Sequence, residues 1–353
     1  MPLKHLRITN LRCLTEVEFS PHPNRTYFFG PNGAGKTSLL EAIYLLGRGR
    51  SFRTRYNRRL IQRGQDCFSV YGELQQNGVK RRLGVGLGPK GLNLRLDSET
   101  APSMAALAKV MPVHVIEPNI HRLIEGSPGD RRRFLDWGVF HVEHNYLEAW
   151  RRYRRVLGQR NAALKSGQSV SAWDSGLISA GTDVDSARKY YVERLSDALC
   201  GIGESLLGTP LKVSYNSGWQ EGKDFTKALE DSKKRDLNIG VTHVGPHRAD
   251  LRVKLDSRNV REEISRGQQK LVAAGLILAQ IRAFAVNQGS GGILLVDDPA
   301  AELDQSSLSS LLAVLDGLPA QQIITGLQRP ILPTKLNYPV FHVEQGGAVK
   351  MVQ

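Results

Sequence analysis

One stretch constrains this chain more than any other: Thr26-Tyr27-Phe28-Phe29-Gly30-Pro31-Asn32-Gly33-Ala34-Gly35-Lys36-Thr37. An apolar run, Tyr27 to Phe29, ends in a glycine-rich turn. Leu39, Leu40, Ile43 and Leu46 then recur on one helical stripe. The order is strand, loop, helix, with G-x-x-x-x-G-K-T at the junction. Gly30, Gly33 and Gly35 let the backbone turn sharply, so that the N–H groups of the loop, Pro31 having none, approach phosphate oxygens. Asn32 and Ala34 complete the cradle, and the helix N-terminus adds partial positive charge. Lys36 has the length to reach β- and γ-phosphates, and the Thr37 hydroxyl is a ligand type for Mg²⁺. ATP and Mg²⁺ are the expected cofactors. A glycine-rich turn beside a chance lysine is the bland alternative; the flanking strand and helix weigh against it.

The chain has 353 residues, enough for one large domain or two ordinary ones. Lys and Arg number 48 against 34 Asp and Glu, a net charge of +14. Such an excess suits a polyanionic partner, with nucleic acid the first candidate. Cys13, Cys67 and Cys200 are far apart and odd in number, which predicts reduced thiols rather than a disulfide frame or a zinc site. No apolar h-region opens the chain, and no apolar run approaches membrane-spanning length. An intracellular, cytoplasmic protein is expected.

Leu3, Leu6, Ile8 and Leu11, then Val17 and Phe19, predict one or two strands ahead of the phosphate loop. After the loop's helix comes Gly47-Arg48-Gly49-Arg50-Ser51-Phe52-Arg53-Thr54-Arg55, followed by Arg58, Arg59 and Arg63. Arg50 and Arg53 are candidate phosphate-backbone contacts; a solvated basic loop is the equal alternative. Alternation over residues 68–97, with turns at Asn77-Gly78 and Pro89-Lys90-Gly91, predicts an antiparallel meander. Val113-His114-Val115-Ile116 reads as a strand. From 119 to 207 the period is helical, and arginines stud the segment: Arg131 to Arg133, then Arg151, Arg152, Arg154, Arg155 and Arg160. They predict a solvated face or a polyanion contact, with Arg151, Arg152 and Arg155 as candidates. Residues 219–240 are polar and read as a loop or edge. His243 and His247 have i, i+4 spacing, but Gly245-Pro246 between them argues against a helical metal site.

Ser265 and Gln268 form the pattern of a capping box ahead of an apolar helix, Leu271 to Val286. Ile293 to Val296 reads as a strand ending in Asp297 and Asp298. In a phosphate-loop ATPase a carboxylate here holds Mg²⁺, and a second acid handles the attacking water. Asp297 is assigned the first role, with Thr37, and Asp298 the second. Lys36, Asp297 and Asp298 are the candidate catalytic residues.

Taken together these segments resemble the RecF family of bacterial recombination and gap-repair ATPases, within the ABC/SMC group. The resemblance rests on Phe29 to Thr37, Gly49 to Thr54, Gly126-Ser127-Pro128 with Arg132 to Gly138, Gln159 to Leu164, Gly245 to Arg248, Ser265 to Lys270, and Asp297-Asp298 with Glu302-Leu303-Asp304. It implies an α/β, ABC/SMC-type P-loop ATPase head, residues 1–117 and 240–353, with a mostly helical arm, 118–239, inserted in it. It implies that Ser265, Arg266, Gly267 and Gln268 form a signature that meets the γ-phosphate held by a second copy. Asp304 and Thr325 are placed near nucleotide by the same resemblance. ABC ATPases in general have glycine where Arg266 stands, glutamate where Asp298 stands, and a histidine near Thr325; the differences imply slow hydrolysis, a timer rather than a motor. An ATP-dependent homodimer is implied, binding gapped DNA and single/double-strand junctions at stalled replication, with RecO and RecR as partners in loading RecA, in the cytoplasm at the nucleoid. The alternative reading is the nucleotide-binding module of an ABC transporter.

Overall fold

The structure, a computed structural model, describes residues 2–76, 78–329, 338–344 and 349–352. Asn77, half of the expected Asn77-Gly78 turn, lies outside the described residues. In chain order the strands are β1 Leu3–Leu11, β2 Leu14–Phe19, β3 Arg25–Phe29, β4 Phe68–Gln76, β5 Val79–Gly88, β6 Gly91–Leu96, β7 Glu99–Thr100, β8 Val113–Ile116, β9 Leu211–Asn216, β10 Asp250–Leu255, β11 Arg258–Asn259, β12 Ile293–Val296, β13 Gln321–Gly326, β14 Val340–Val343 and β15 Val349–Met351. The α-helices are α1 Lys36–Arg48, α2 Met104–Val110, α3 Arg122–Glu125, α4 Pro128–Val142, α5 Tyr146–Lys165, α6 Ser171–Leu207, α7 Phe225–Ile239, α8 Arg266–Gln288 and α9 Gln305–Asp316.

The chain divides into two compact units, one formed by residues 1–120 with 288–353, the other by 121–287. Residues 240–287, expected with the head, cluster with the helical unit.

The first unit holds two sheets. One is antiparallel, in the order β2-β1-β4-β5-β6-β7. Its inward residues alternate along the strands, as in Phe68, Val70 and Gly72 opposite Leu87, Val85 and Leu83, so one face is core and the other is wet. The other sheet runs β15-β14-β3-β13-β12-β8, parallel from β8 to β14. Every residue of β12 is buried, the pattern of a strand covered on both faces. Because β13 lies between β3 and β12, the phosphate loop, Thr325 and Asp297 all emerge at the carboxyl edge of the sheet. Helix α1 fills the core between the sheets with Leu39, Leu40 and Ile43 and stops at Gly49, whose N–H bonds Leu45 O at 2.7 Å.

The second unit is helices α3 to α8 with the small sheet β11-β10-β9. Three of its arginines are interior. Arg160 is fully buried; its Nε donates to Asp174 and its Nη1 to Asp236 and Thr242, each at 2.8 Å. Arg131 holds Asp250 bidentately, and Arg188 binds Asp136 and the Pro246 carbonyl. Arg131 and Arg160 are thus not part of a solvated or polyanion-facing surface, as the run of arginines predicted. They neutralise buried carboxylates and tie distant segments together.

Residues 225–239 form helix α7 rather than a loop. Asp224 caps it by accepting from Lys227 N at 2.7 Å, and Phe225, Ala228, Leu229 and Asp236 make a narrow buried stripe under a polar face. His243 faces Asp236, and His247 accepts from or donates to Tyr153 at 2.6 Å, so the pair has two separate partners. Within α8, Arg266–Val286 is long and apolar enough to cross a membrane by length and composition, contrary to the expectation that no run would be; 72% of that window is buried as core helix.

Candidate active site

The phosphate loop is braced before it binds anything. Gly30 has φ 154°, and a Cβ there would lie 2.3 Å from Val343 O, so the loop starts where only glycine passes β14. Gly33, at φ 81°, has no neighbour within 4 Å of where a Cβ would stand, so its backbone conformation rather than crowding favours glycine. The Lys36 ammonium donates to Gly30 O at 2.7 Å and Pro31 O at 2.9 Å. Its pKa is lowered by burial, against the pull of Asp298 and Asp297.

Asp297 follows β12 and is 7% exposed. The Thr37 hydroxyl is 3.0 Å from both its oxygens. Thr325, at the end of β13, donates to Asp297 Oδ1 at 2.9 Å and accepts the Asp298 amide at 3.0 Å. One buried hydroxyl therefore holds both acids in place. Asp298 adopts φ 44°, a left-handed conformation that costs a non-glycine residue about 1–3 kcal/mol. Burial raises its pKa, with Lys36 opposing and Asp297 adding to the rise. Its Oδ1 is buried and has no hydrogen-bond partner among the described residues.

These residues fit ATP and Mg²⁺. The donors are hard oxygens, and Mg²⁺ leans on one or two carboxylates, phosphates and water. Among the described residues no group of three or more His, Cys, Asp or Glu offers a cage of its own. Thr37 and Asp297 would hold the ion, which would supply charge neutralisation at the phosphates. A cavity of about 640 Å³ borders Asp298 and Thr325 on the α9 side but touches none of the residues from Gly30 to Thr37.

Lys36, Thr37, Asp297, Asp298 and Thr325 are thus brought together in one unit. Ser265, Arg266, Gly267 and Gln268 belong to the other. Ser265 and Gln268 bond each other's amides reciprocally, a capping box at the start of α8, and the Arg266 side chain is 81% exposed beside Glu125. Asp304 is the N-cap of α9, accepting from Ser307 N at 2.9 Å and from the Ser306 and Ser307 hydroxyls, which hold its pKa far below the usual carboxylate range. Arg50 and Arg53 are exposed after α1; Arg151, Arg152 and Arg155 are exposed on α5, with Arg152 paired to Asp183.

One residue the sequence reading passed over is Glu41. It is fully buried on α1, one turn beyond Thr37, and Arg12 grips it bidentately at 2.9 and 3.0 Å. A lone acid in an apolar helical stripe was the signal.

A family model described as the RecF/RecN/SMC N terminal domain matches residues 2–347. The DNA replication and repair protein RecF of Marinomonas sp. (strain MWYL1) is 40% identical over 336 residues, spanning 93% of this chain and 91% of that protein. The chain belongs to the RecF family. The RecF of Pseudomonas fluorescens Pf-5 is 39% identical, over 98% of this chain and 97% of its own. The fold agrees with a solved structure described as the recombination mediator protein RecF-ATP in the RecFOR pathway, at TM-score 0.87 and 24% identity, with 100% and 98% of the two chains covered. An Smc head bound to the C-winged helix domain of ScpA matches at TM-score 0.63 and 15% identity, covering 100% and 97%. The ABC/SMC-type head expected from the sequence is the fold observed, and RecF membership sets aside the transporter-module alternative.

Proposed function

We propose that this chain is an ATP-gated DNA clamp for recombinational repair of gapped DNA. The observation that carries the reading is the Thr37–Asp297–Thr325–Asp298 set: a hydroxyl–carboxylate pair and a second acid, locked together by the Thr325 hydroxyl at 2.9 and 3.0 Å beside an intact phosphate loop. Thr37 and Asp297 would hold the metal, and Asp298 would handle the water. ATP with Mg²⁺ is the cofactor, and hydrolysis, slow because Asp298 is a short acid, is the release step. The exposed capping-box start of α8 would face the γ-phosphate held by a second copy, making the clamp an ATP-dependent homodimer. The exposed arginines after α1 and on α5 provide the phosphate-backbone contacts. Relatives named as DNA replication and repair proteins, and a solved relative from the RecFOR pathway, support DNA as the polyanion and RecO and RecR as partners. RecA loading as the output and the cytoplasmic nucleoid as the place complete the proposal.

The test is binding to gapped duplex DNA across a salt series, with ATP, with ADP and without nucleotide. Tight binding is expected with ATP alone, and Lys36→Ala should abolish the ATP dependence. Arg151→Ala with Arg155→Ala should weaken binding to all sequences and lower the salt slope by about two. DNA affinity indifferent to nucleotide would overturn the gating.

A further inference from the structure

The loop after α1 has a feature the nucleotide site does not need. Between Glu41 and Asp66 the chain carries no carboxylate, while Arg50, Arg53, Arg55, Arg58, Arg59 and Arg63 are all exposed. A purely solvated basic loop would be loose. This one is fastened at several points. The Ser51 hydroxyl donates to buried Glu41 and accepts the amides of Arg53 at 2.9 Å and Thr54 at 3.0 Å. Thr54 Oγ1 then accepts the Tyr56 amide at 3.1 Å. Leu60 is fully buried, its carbonyl bonded by Arg12 N at 2.8 Å, and Arg12 Nη1 reaches Arg59 O at 2.9 Å. Glu41 and Arg12 thereby fasten the loop to α1, the helix that carries Lys36 and Thr37.

The two aromatic rings of the loop are treated differently. Phe52 packs edge-on against Tyr44, with ring centroids 5.3 Å apart, and anchors the loop to the core. Tyr56, held between fixed points on either side, is 65% exposed, and the Arg59 guanidinium lies 4.8 Å from its ring centre. A single exposed aromatic is ordinary on a protein surface. An exposed ring on a fastened, arginine-rich loop, backed by a guanidinium, is an arrangement that accepts a nucleobase: arginines track the phosphates and the ring stacks the base. In duplex DNA the bases are already stacked on each other, so the platform serves only an unpaired one. Because the loop is preorganised, little ordering opposes the stack.

We propose that Tyr56 is a stacking platform for an unpaired base at the edge of a single-stranded gap, with Arg55, Arg58 and Arg59 holding its phosphates. This deepens the DNA-clamp reading and rests on it. Two DNAs of equal length, one fully duplex and one gapped, are compared with ATP present. Tyr56→Ala should lose about tenfold in affinity for the gapped DNA and less than twofold for the duplex. Tyr56→Trp should retain the gap preference. A fluorescent adenine analogue placed in the gap should be quenched by the parent and by Tyr56→Trp, and stay bright with Tyr56→Ala. Parent-like gap preference and quenching in Tyr56→Ala would overturn this proposal while leaving the clamp intact. A parent protein that binds neither DNA would overturn both.

Discussion

The Thr37 hydroxyl lies 3.0 Å from both oxygens of the Asp297 carboxylate. The fold itself brings together the hydroxyl and carboxylate that would hold Mg²⁺. Thr37→Ala should cut the Mg²⁺ dependence of nucleotide hydrolysis and the apparent Mg²⁺ affinity by about 10–100-fold, and Thr37→Ser should restore both. Turnover against Mg²⁺ concentration reads the effect. Parental dependence in Thr37→Ala would remove this residue from the metal site.

Asp298 titrates above an ordinary aspartate because burial disfavours its charge. Only the carboxylate can take a proton from water, and a raised pKa keeps the acid protonated to higher pH. The acid limb of the turnover profile should therefore lie above the reference of about 3.9. Asp298→Asn should lower turnover by about 10²–10⁴-fold and leave ATP affinity near parental. An acid limb that persists in whatever turnover Asp298→Asn retains would assign the titration elsewhere.

Dimerisation should follow the γ-phosphate, by mass action of a ligand that is part of the interface. Ser265→Arg puts a bulky cation at an exposed helix start and leaves the phosphate loop untouched. In sedimentation the parent should dimerise with ATP but not with ADP, Ser265→Arg should bind ATP and stay monomeric, and Asp298→Asn should remain dimeric longest. Normal dimers of Ser265→Arg would sink the cross-subunit signature.

His247 has its pKa lowered to about 4, chiefly by burial, with Arg248 and Arg132 adding to the effect. Between about pH 4 and the reference of about 6.5, the unfolded chain binds a proton here that the folded chain refuses. Stability is complete above about pH 6.5 and is lost as pH falls toward 4. His114, buried and lowered to about 3, acts in the same direction. The His247 share is at most about 3 kcal/mol. Melting temperatures of parent and His247→Gln over that range should converge as pH falls; parallel curves would refute the linkage.

Arg160 neutralises Asp236, which is itself fully buried, along with Asp174. Arg160→Met keeps the bulk and strands both carboxylates. A loss of about 3–5 kcal/mol is expected, read by denaturant unfolding. Arg152→Met, whose partner Asp183 is exposed, should change stability by less than about 1 kcal/mol. Equal losses would show that burial is not what gives Arg160 its weight.

The nucleotide site was legible because its chemistry is carried by backbone geometry. Gly30, Gly33, Lys36 and the paired acids after an apolar strand each announce a local conformation. Thr325 had no such mark; its role depends on β13 inserting between β3 and β12, which is a matter of topology. Arg160 and Arg131 were misread for a related reason. A charge run looks the same whether it faces water or a carboxylate 76 or 119 residues away along the chain. Helix α7 was hidden because its buried stripe is only one residue wide in places, and the polar remainder set the composition. Glu41 was overlooked because a lone acid does not disclose its partner, Arg12, which lies 29 residues away along the chain; its burial in α1 ties the arginine loop to the phosphate loop.

Strand β3, which delivers the phosphate loop, is paired on one side with β13 and on the other with β14. Both neighbours come far later in the chain, at Gln321–Gly326 and Val340–Val343. On a ribosome adding about 5–20 residues per second, the loop is finished early and then waits about 15–60 s for the strands that brace it. During that interval β3 has two open edges and Gly30 has no β14 to rest against. The phosphate loop is thus braced only after β13 and β14 have been made, so a fragment that stops short of them carries the full motif without the strands that hold it in place.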